Sequence, residues 1–257
     1  MKRILSVLLC LVFGMSMVLT AAGKHQQRRG NGHFTQIVNE TPFDIHYYQS
    51  NDKDYHVNVV GNPREVQFVL TDIRKDVLYI TCDPHQRIKG SIYVEVYCPR
   101  LDRFDGKGKG NFIAKTAIRH AGDIIFSILG AGNVDLGIVD CKNLDVRHEG
   151  SGKFNVKEAR VANKQQVDQK GAGQVNIRGG EAKKSEVRNE GAGRVNINGK
   201  SDQMNVENHG AGDVKGNVQT QQFQGENRGS GDIRMNGEAK KVETQRDGTG
   251  RAEFKRK

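Results

Sequence analysis

Gly191-Ala192-Gly193-Arg194-Val195-Asn196-Ile197 decides how this chain is read, because the chain keeps writing it. The figure recurs as Gly130-Ala131-Gly132-Asn133-Val134, Gly150-Ser151-Gly152-Lys153-Phe154 and Gly171-Ala172-Gly173-Gln174-Val175. It returns as Gly210-Ala211-Gly212-Asp213-Val214 and Gly229-Ser230-Gly231-Asp232-Ile233. A degraded copy, Gly108-Lys109-Gly110-Asn111-Phe112, opens the series, and Gly248-Thr249-Gly250-Arg251-Ala252 closes it. The copies stand about 19 to 22 residues apart, a period that marks a solenoid or an array.

Around each doublet the apolar residues alternate. Val175 and Ile177, or Val195 and Ile197, follow it; Leu144 and Val146, or Met204 and Val206, precede it; charged and amide residues stand between. Period two predicts strands with one buried face, and nothing after the leader sustains a helical period. The Gly-small-Gly step is expected to join two strands at a tight corner. A bulky residue there would collide with the next rung, ~4.8 Å away. A polar run such as Arg178-Gly179-Gly180-Glu181-Ala182-Lys183-Lys184 supplies a second, variable corner. The expected fold is all-β: a parallel β-helix, or β-solenoid, of about seven coils, right-handed, stacked coil on coil over roughly 35 Å.

Two residues before the doublets stand His148, Gln169, Asn189, Asn208 and Asn227. By parity they point inward, where a lone amide is costly. Amides stacked in register can hydrogen-bond to one another, so Asn189, Asn208 and Asn227 are expected to form a structural ladder.

Ahead of the repeats the sequence divides into three. Residues 1–22 read as a secretory signal peptide: Lys2 and Arg3, an apolar stretch from Ile4 to Leu19, then Thr20-Ala21-Ala22 for cleavage before Gly23. Cys10 follows Leu9, not the small residue a lipobox needs, so no lipid anchor is expected, nor a transmembrane segment after cleavage. Residues 23–33 are a basic, flexible lead-in containing His25 and His33. Residues 34–107 alternate as strands without the glycine repeat and hold all six tyrosines; they are expected to cap the solenoid of residues 108–257. Tyr47, Tyr48, Tyr55, His46 and His56 gather near one expected hairpin, read as packing before recognition. Export leaves Cys82, Cys98 and Cys141; a Cys82–Cys98 bridge stays open, and Cys141 is expected unpaired. No metal-site spacing, Ser-His-Asp order or phosphate loop appears, and neither metal nor cofactor is expected.

The net charge is +10, or +8 once Lys2 and Arg3 leave with the signal peptide (10 − 2 = 8), and the pI is about 9.5. Such a balance favours anionic partners or simply keeps the surface soluble. Lys153, Arg194, Arg234 and Arg251 fall on outward positions and form the candidate ligand surface, for an anionic polysaccharide, lipopolysaccharide or another envelope protein; nucleic acid is not expected.

The recurring Gly-Ala/Ser-Gly-Asp-Val/Ile of Gly210–Val214 and Gly229–Ile233 resembles the bacterial auto-transporter adhesin head GIN domain family. Phe43-Asp44-Ile45, Val57-Asn58-Val59 and Val77-Leu78-Tyr79-Ile80 are similar to that family's opening β section, and Val94-Glu95-Val96-Tyr97-Cys98-Pro99-Arg100-Leu101 to its link into the repeats. The resemblance spans roughly residues 34 to 254 and implies an exported β-solenoid of the cell envelope, periplasmic, outer-membrane-associated or extracellular, with no catalytic residues to carry over. This chain departs from the pattern where Asn133, Lys153, Gln174, Arg194 and Arg251 replace the aspartate, which argues against a calcium-binding row. The expected function is therefore non-catalytic binding. The alternative is a polysaccharide-degrading β-helix enzyme using Asp213 and Asp232, in register one coil apart.

Overall fold

The computed structural model describes residues 25–29, 32–51, 53–86 and 88–257. The proposed leader, with Cys10, lies outside them. Eighteen strands make one continuous sheet, and the only helical turn described is a 3₁₀ step at Val66–Phe68.

Strands β1 (His25–Arg29), β2 (Gln36–Asn39), β3 (Asp44–Gln49), β4 (His56–Gly61), β5 (Val69–Arg74) and β6 (Val77–Cys82) come first. They are followed by β7 (Tyr93–Cys98), β8 (Arg103–Gly106), β9 (Phe112–Ala114), β10 (Ile118–Arg119) and β11 (Asp123–Ile128). One long strand per coil then follows: β12 (Val134–His148), β13 (Lys153–Gln169), β14 (Gln174–Asn189), β15 (Arg194–Asn208), β16 (Val214–Asn227) and β17 (Ile233–Arg246). Strand β18 (Ala252–Arg256) ends the series. From β11 to β18 every pairing is parallel and joins equivalent positions of successive repeats. Val134, Phe154, Val175, Val195, Val214, Ile233 and Ala252 form one column, all but the last buried. Each such Val or Ile contributes about 1.5–3 kcal/mol by leaving water, so a narrow core suffices when the coil repeats. The result is a β-solenoid of about eight turns.

The glycine doublets stack in a single file. Gly173 N donates to Gly150 O (3.1 Å), Gly193 N to Gly171 O (3.0 Å) and Gly212 N to Gly191 O (3.1 Å). A Cβ built on Gly150 would fall on the carbonyl of Gly130, and one on Gly191 on that of Gly171. Close approach is thus what these positions require. Turn conformation is not: among the described residues the positive-φ glycines are Gly179, Gly199 and Gly237, all at the second corner. That corner is also where the register slips, between Arg160 and Lys164 and between Ile177 and Gly180.

The N-terminal section is mostly solenoid, not a separate cap. β2 pairs in parallel with β6 on one side and β8 on the other; β3 pairs likewise with β7 and β9. β8 and β9 continue directly into β11 and β12, so pairing crosses residues 107 and 108 without a break. Only β5 on β6, β4 on β7 and β1 on β4 are antiparallel, and these close the end of the stack. His25–Arg29, expected within a flexible lead-in, is the strand β1, and Arg29 reaches Val66 O and Val69 O through its guanidinium. Its hydrogen bonds account for the order: a strand laid along β4 satisfies backbone groups that the edge would otherwise leave open.

Candidate binding face

The outward residues just after each doublet occupy two parallel rows. In the first stand Asn111, Asn133, Lys153, Gln174, Arg194, Asp213, Asp232 and Arg251. Where this position carries Asn or Asp, its Oδ1 accepts the backbone N–H one coil on; at Gln174 the Arg194 N–H goes to Gly173 O instead (3.1 Å). Asn133 Oδ1 accepts Lys153 N (2.8 Å), Asp213 Oδ1 accepts Asp232 N (2.9 Å), and Asp232 Oδ1 accepts Arg251 N (2.8 Å). Asp44 starts the same row and accepts Asn111 N at 2.9 Å.

Of the expected ligand residues, Lys153, Arg194 and Arg251 share this row and are exposed. They are not contiguous. Gln174 separates the first pair, and Asp213 and Asp232 separate the second. Arg234 lies in the neighbouring row and pairs with Asp232. Lys215 pairs with Asp213 at 2.8 Å. The Lys215 ammonium, and then the Asp232 N–H, hold the Asp213 carboxyl below the usual carboxylate range.

The second row runs Asp135, Asn155, Asn176, Asn196, Lys215, Arg234 and Glu253. Asn155 Nδ2 donates to Asp135 Oδ1 (2.8 Å), Asn176 Nδ2 to Asn155 Oδ1 (2.7 Å) and Asn196 Nδ2 to Asn176 Oδ1 (2.7 Å). This outer amide ladder was not anticipated, although Phe154-Asn155-Val156, Val175-Asn176-Ile177 and Val195-Asn196-Ile197 put an amide between two inward apolar residues each time. Beside it lies a groove of about 770 Å³ running from Gln174 to Lys255, bordered by Arg178, Asn198, Asn217 and Asn236.

The inward column is built differently from the expected ladder. Asn189 Nδ2 does donate to Asn208 Oδ1 (2.9 Å), but Asn227 instead clasps its own corner. It accepts Gly229 N (3.0 Å) and donates to Gly231 O (2.7 Å) and Arg251 O (2.9 Å). His148 Nδ1 meets Gln169 Oε1 at 2.8 Å, and Gln169 Nε2 donates to Gly171 O at 3.0 Å. These amides hold corners more than they hold each other.

The tyrosine cluster splits in two. Tyr47 is buried and donates to Cys98 O (3.3 Å), while Tyr48, Tyr97 and His56 stack on the outer surface with centroids 4.6 and 4.1 Å apart. Cys82, Cys98 and Cys141 are free thiols; burial pushes Cys98 and Cys141 up to about 12, which suppresses the reactive thiolate.

Stacked parallel coils, a glycine file at one corner and an amide-lined outer face define a parallel β-solenoid with one regular outer face. Residues 33–201 and 195–256 match the family described as "Putative auto-transporter adhesin, head GIN domain", and the chain belongs to that family. Three solved structures share the fold. An adhesin-titled protein from Parabacteroides distasonis superposes with a TM-score of 0.82 at 19% identity, covering 90% of this chain and 96% of its own. One from Parabacteroides merdae, titled likewise, gives 0.71 at 18%, covering 90% and 97%. A third, from Parabacteroides distasonis and titled as a lipid binding protein, gives 0.74 at 16%, also covering 90% and 97%. None of the curated proteins compared with the chain matches it. Among the described residues, no helix is long and apolar enough to cross a membrane.

Proposed function

We propose that this protein is an exported, non-catalytic, adhesin-like component of the bacterial cell envelope. It presents its post-corner face to an anionic polysaccharide, lipopolysaccharide or another envelope protein. The observation that carries this reading is the arrangement of that face: exposed Lys153, Arg194 and Arg251 in one row of the stack, next to a row whose Asn155, Asn176 and Asn196 amides repeat at coil spacing. Family membership supports an adhesive role.

The hydrolase alternative fares worse on one observation. Asp213 and Asp232 both spend an oxygen on the next coil's backbone N–H, and each pairs with a cation. A glycosidase acid needs a raised pKa, whereas that of Asp213 is lowered. The test is a glycan and lipopolysaccharide array run beside a depolymerisation assay on acidic polysaccharides. Retention without cleavage, lost in the Lys153→Glu, Arg194→Glu double variant, is expected; turnover abolished by Asp213→Asn would establish the enzyme instead.

A further inference from the structure

We infer that the groove from Gln174 to Lys255 is a row of successive subsites for one extended acidic glycan strand, lying along the solenoid axis with one sugar per coil. This rests on the glycan reading above and narrows it to a place and a ligand geometry.

The first argument is hydrogen-bond capacity. A primary amide has two donors and two lone pairs. Asn176 donates one N–H to Asn155, and its oxygen takes Asn196 and Gln174 (2.7 and 2.8 Å). Asn196 donates one N–H to Asn176. In each case the second N–H is left for an outside acceptor. The ladder bonds fix both amide planes, so these donors are held at a regular rise of ~4.8 Å. That rise is close to the length of one sugar in an extended β-linked chain.

The second argument is charge. Arg178 and Lys255, at opposite ends of the groove, make no ion pair among the described residues, and Lys215 and Arg234 stand between them on neutralising partners. Glu253 is the one carboxylate lining the groove. An acidic polymer thus meets unpaired cations at both ends and paired ones in the middle. Oriented donors with spaced cations suit carboxylate-bearing sugars, whose hydroxyls and carboxylates both accept.

The third argument separates this ligand from other polyanions. Single-stranded nucleic acid binds by stacking on exposed aromatic rings, and the chain has no tyrosine after Tyr97 and no tryptophan. Phe154 and Phe223 are buried. A membrane surface would need apolar anchors, and among the described residues the exposed large hydrophobics, Leu70 and Leu129, both lie outside the groove.

The experiment is calorimetric titration of the chain with a graded series of β-1,4-linked oligomannuronates. Affinity is expected to climb with each added sugar and to level off at about five, the number of coils the groove crosses. The Asn176→Asp, Asn196→Asp variant keeps side-chain size but replaces donors with like charges, and should weaken the longest oligomer at least about tenfold. Arg178→Ser with Lys255→Ser, both exposed, should lower affinity without touching the ladder. Length-independent binding, or full affinity in both variants while the wild type still binds glycan, would overturn the groove and leave the adhesin reading intact. Absence of glycan binding altogether would overturn the groove and the glycan form of the proposed function, leaving a protein partner as its remaining form. Preference for an anionic vesicle or an oligonucleotide would overturn the ligand class.

Discussion

Two corners of this molecule share a geometry and differ in sequence. At Asn39-Glu40-Thr41-Pro42-Phe43, Asn39 Oδ1 accepts Thr41 N (3.0 Å) and its Nδ2 donates to Phe43 O (3.2 Å). At Asn227-Arg228-Gly229-Ser230-Gly231, Asn227 Oδ1 accepts Gly229 N (3.0 Å) and its Nδ2 donates to Gly231 O (2.7 Å). The two asparagines belong to one column, from Asn39 through Gly106, Ile128, His148, Gln169, Asn189 and Asn208 to Asn227. Yet the first corner carries threonine and phenylalanine where the last carries glycines. The difference lies beneath them. Each corner Cβ points at the preceding coil: one on Gly108 would strike Thr41, and one on Gly229 would strike Gly210. Below Thr41 there is no corner, because β6 runs straight past Ile80 through Cys82 and then bonds away, Asp83 N to Phe68 O. Glycine is therefore the requirement of having a neighbour, not of making the turn.

The largest expected effect breaks that comparison if it fails. Gly191→Ala should destabilise by about 3 kcal/mol or more, because its methyl lands on backbone carbonyls at Gly171 and Lys170 that cannot step aside. Thr41→Ala, at the corner with nothing beneath, should cost only about 1 kcal/mol, the worth of its hydroxyl's bonds to Asn39 and Phe43. Chemical denaturation of the two variants gives the comparison directly; a loss at Gly191→Ala no larger than that at Thr41→Ala would mean that the stack accommodates the methyl and does not demand glycine.

This contrast also explains what could be read before the structure. The repeats from Gly130 onward declared their strands, corners and buried columns, since every corner there lies on a preceding corner and pays the same steric toll. Thr41 escapes that toll, so the first corner left no glycine signature, and the coils on either side of residue 108 looked like different domains. Spatial order hid the rest: the coil of β2 and β3 lies between residues 77–98 and 103–114, an insertion that local alternation does not reveal. At the proposed binding face, Lys153, Arg194 and Arg251 were legible as outward, but the capture of Arg234 by Asp232 and the bonding of Asn155, Asn176 and Asn196 depend on register between coils.

The clasp itself offers a smaller and sharper test. If Asn39 and Asn227 do one job, removing either should cost the same. Asn227→Ala leaves the buried Gly231 O without its donor, while Gly229 N–H keeps Asn208 O (3.0 Å) and Arg251 O keeps Ile233 N (2.8 Å), and should lose about 2 kcal/mol. Asn39→Ala strands Thr41 N and Phe43 O and should lose a similar amount. Urea midpoints that separate widely would show that the glycine corner and the threonine corner are held by different means.

The smallest expected effect lies midway along the same column, where His148 replaces the amide. Burial lowers the pKa of its imidazole, with the Gln169 contact pulling the other way. The folded state therefore holds His148 neutral at a pH where the unfolded chain, near the ordinary value of about 6.5, is already taking up a proton. Between the lowered folded pKa and that value the unfolded state binds more protons, so stability rises with pH across the window and falls as acid is added. Thermal unfolding at about pH 7 and about pH 5 should show the loss, and His148→Gln, the residue the next coil uses, should shrink it by about 2–4 °C while leaving neutral-pH stability nearly unchanged. An unaltered pH slope in that variant would place the acid sensitivity elsewhere, and would mean that a coil in the middle of the stack tolerates a charge that its sealed column of side chains, His148 and Gln169 fully buried, has no group to answer.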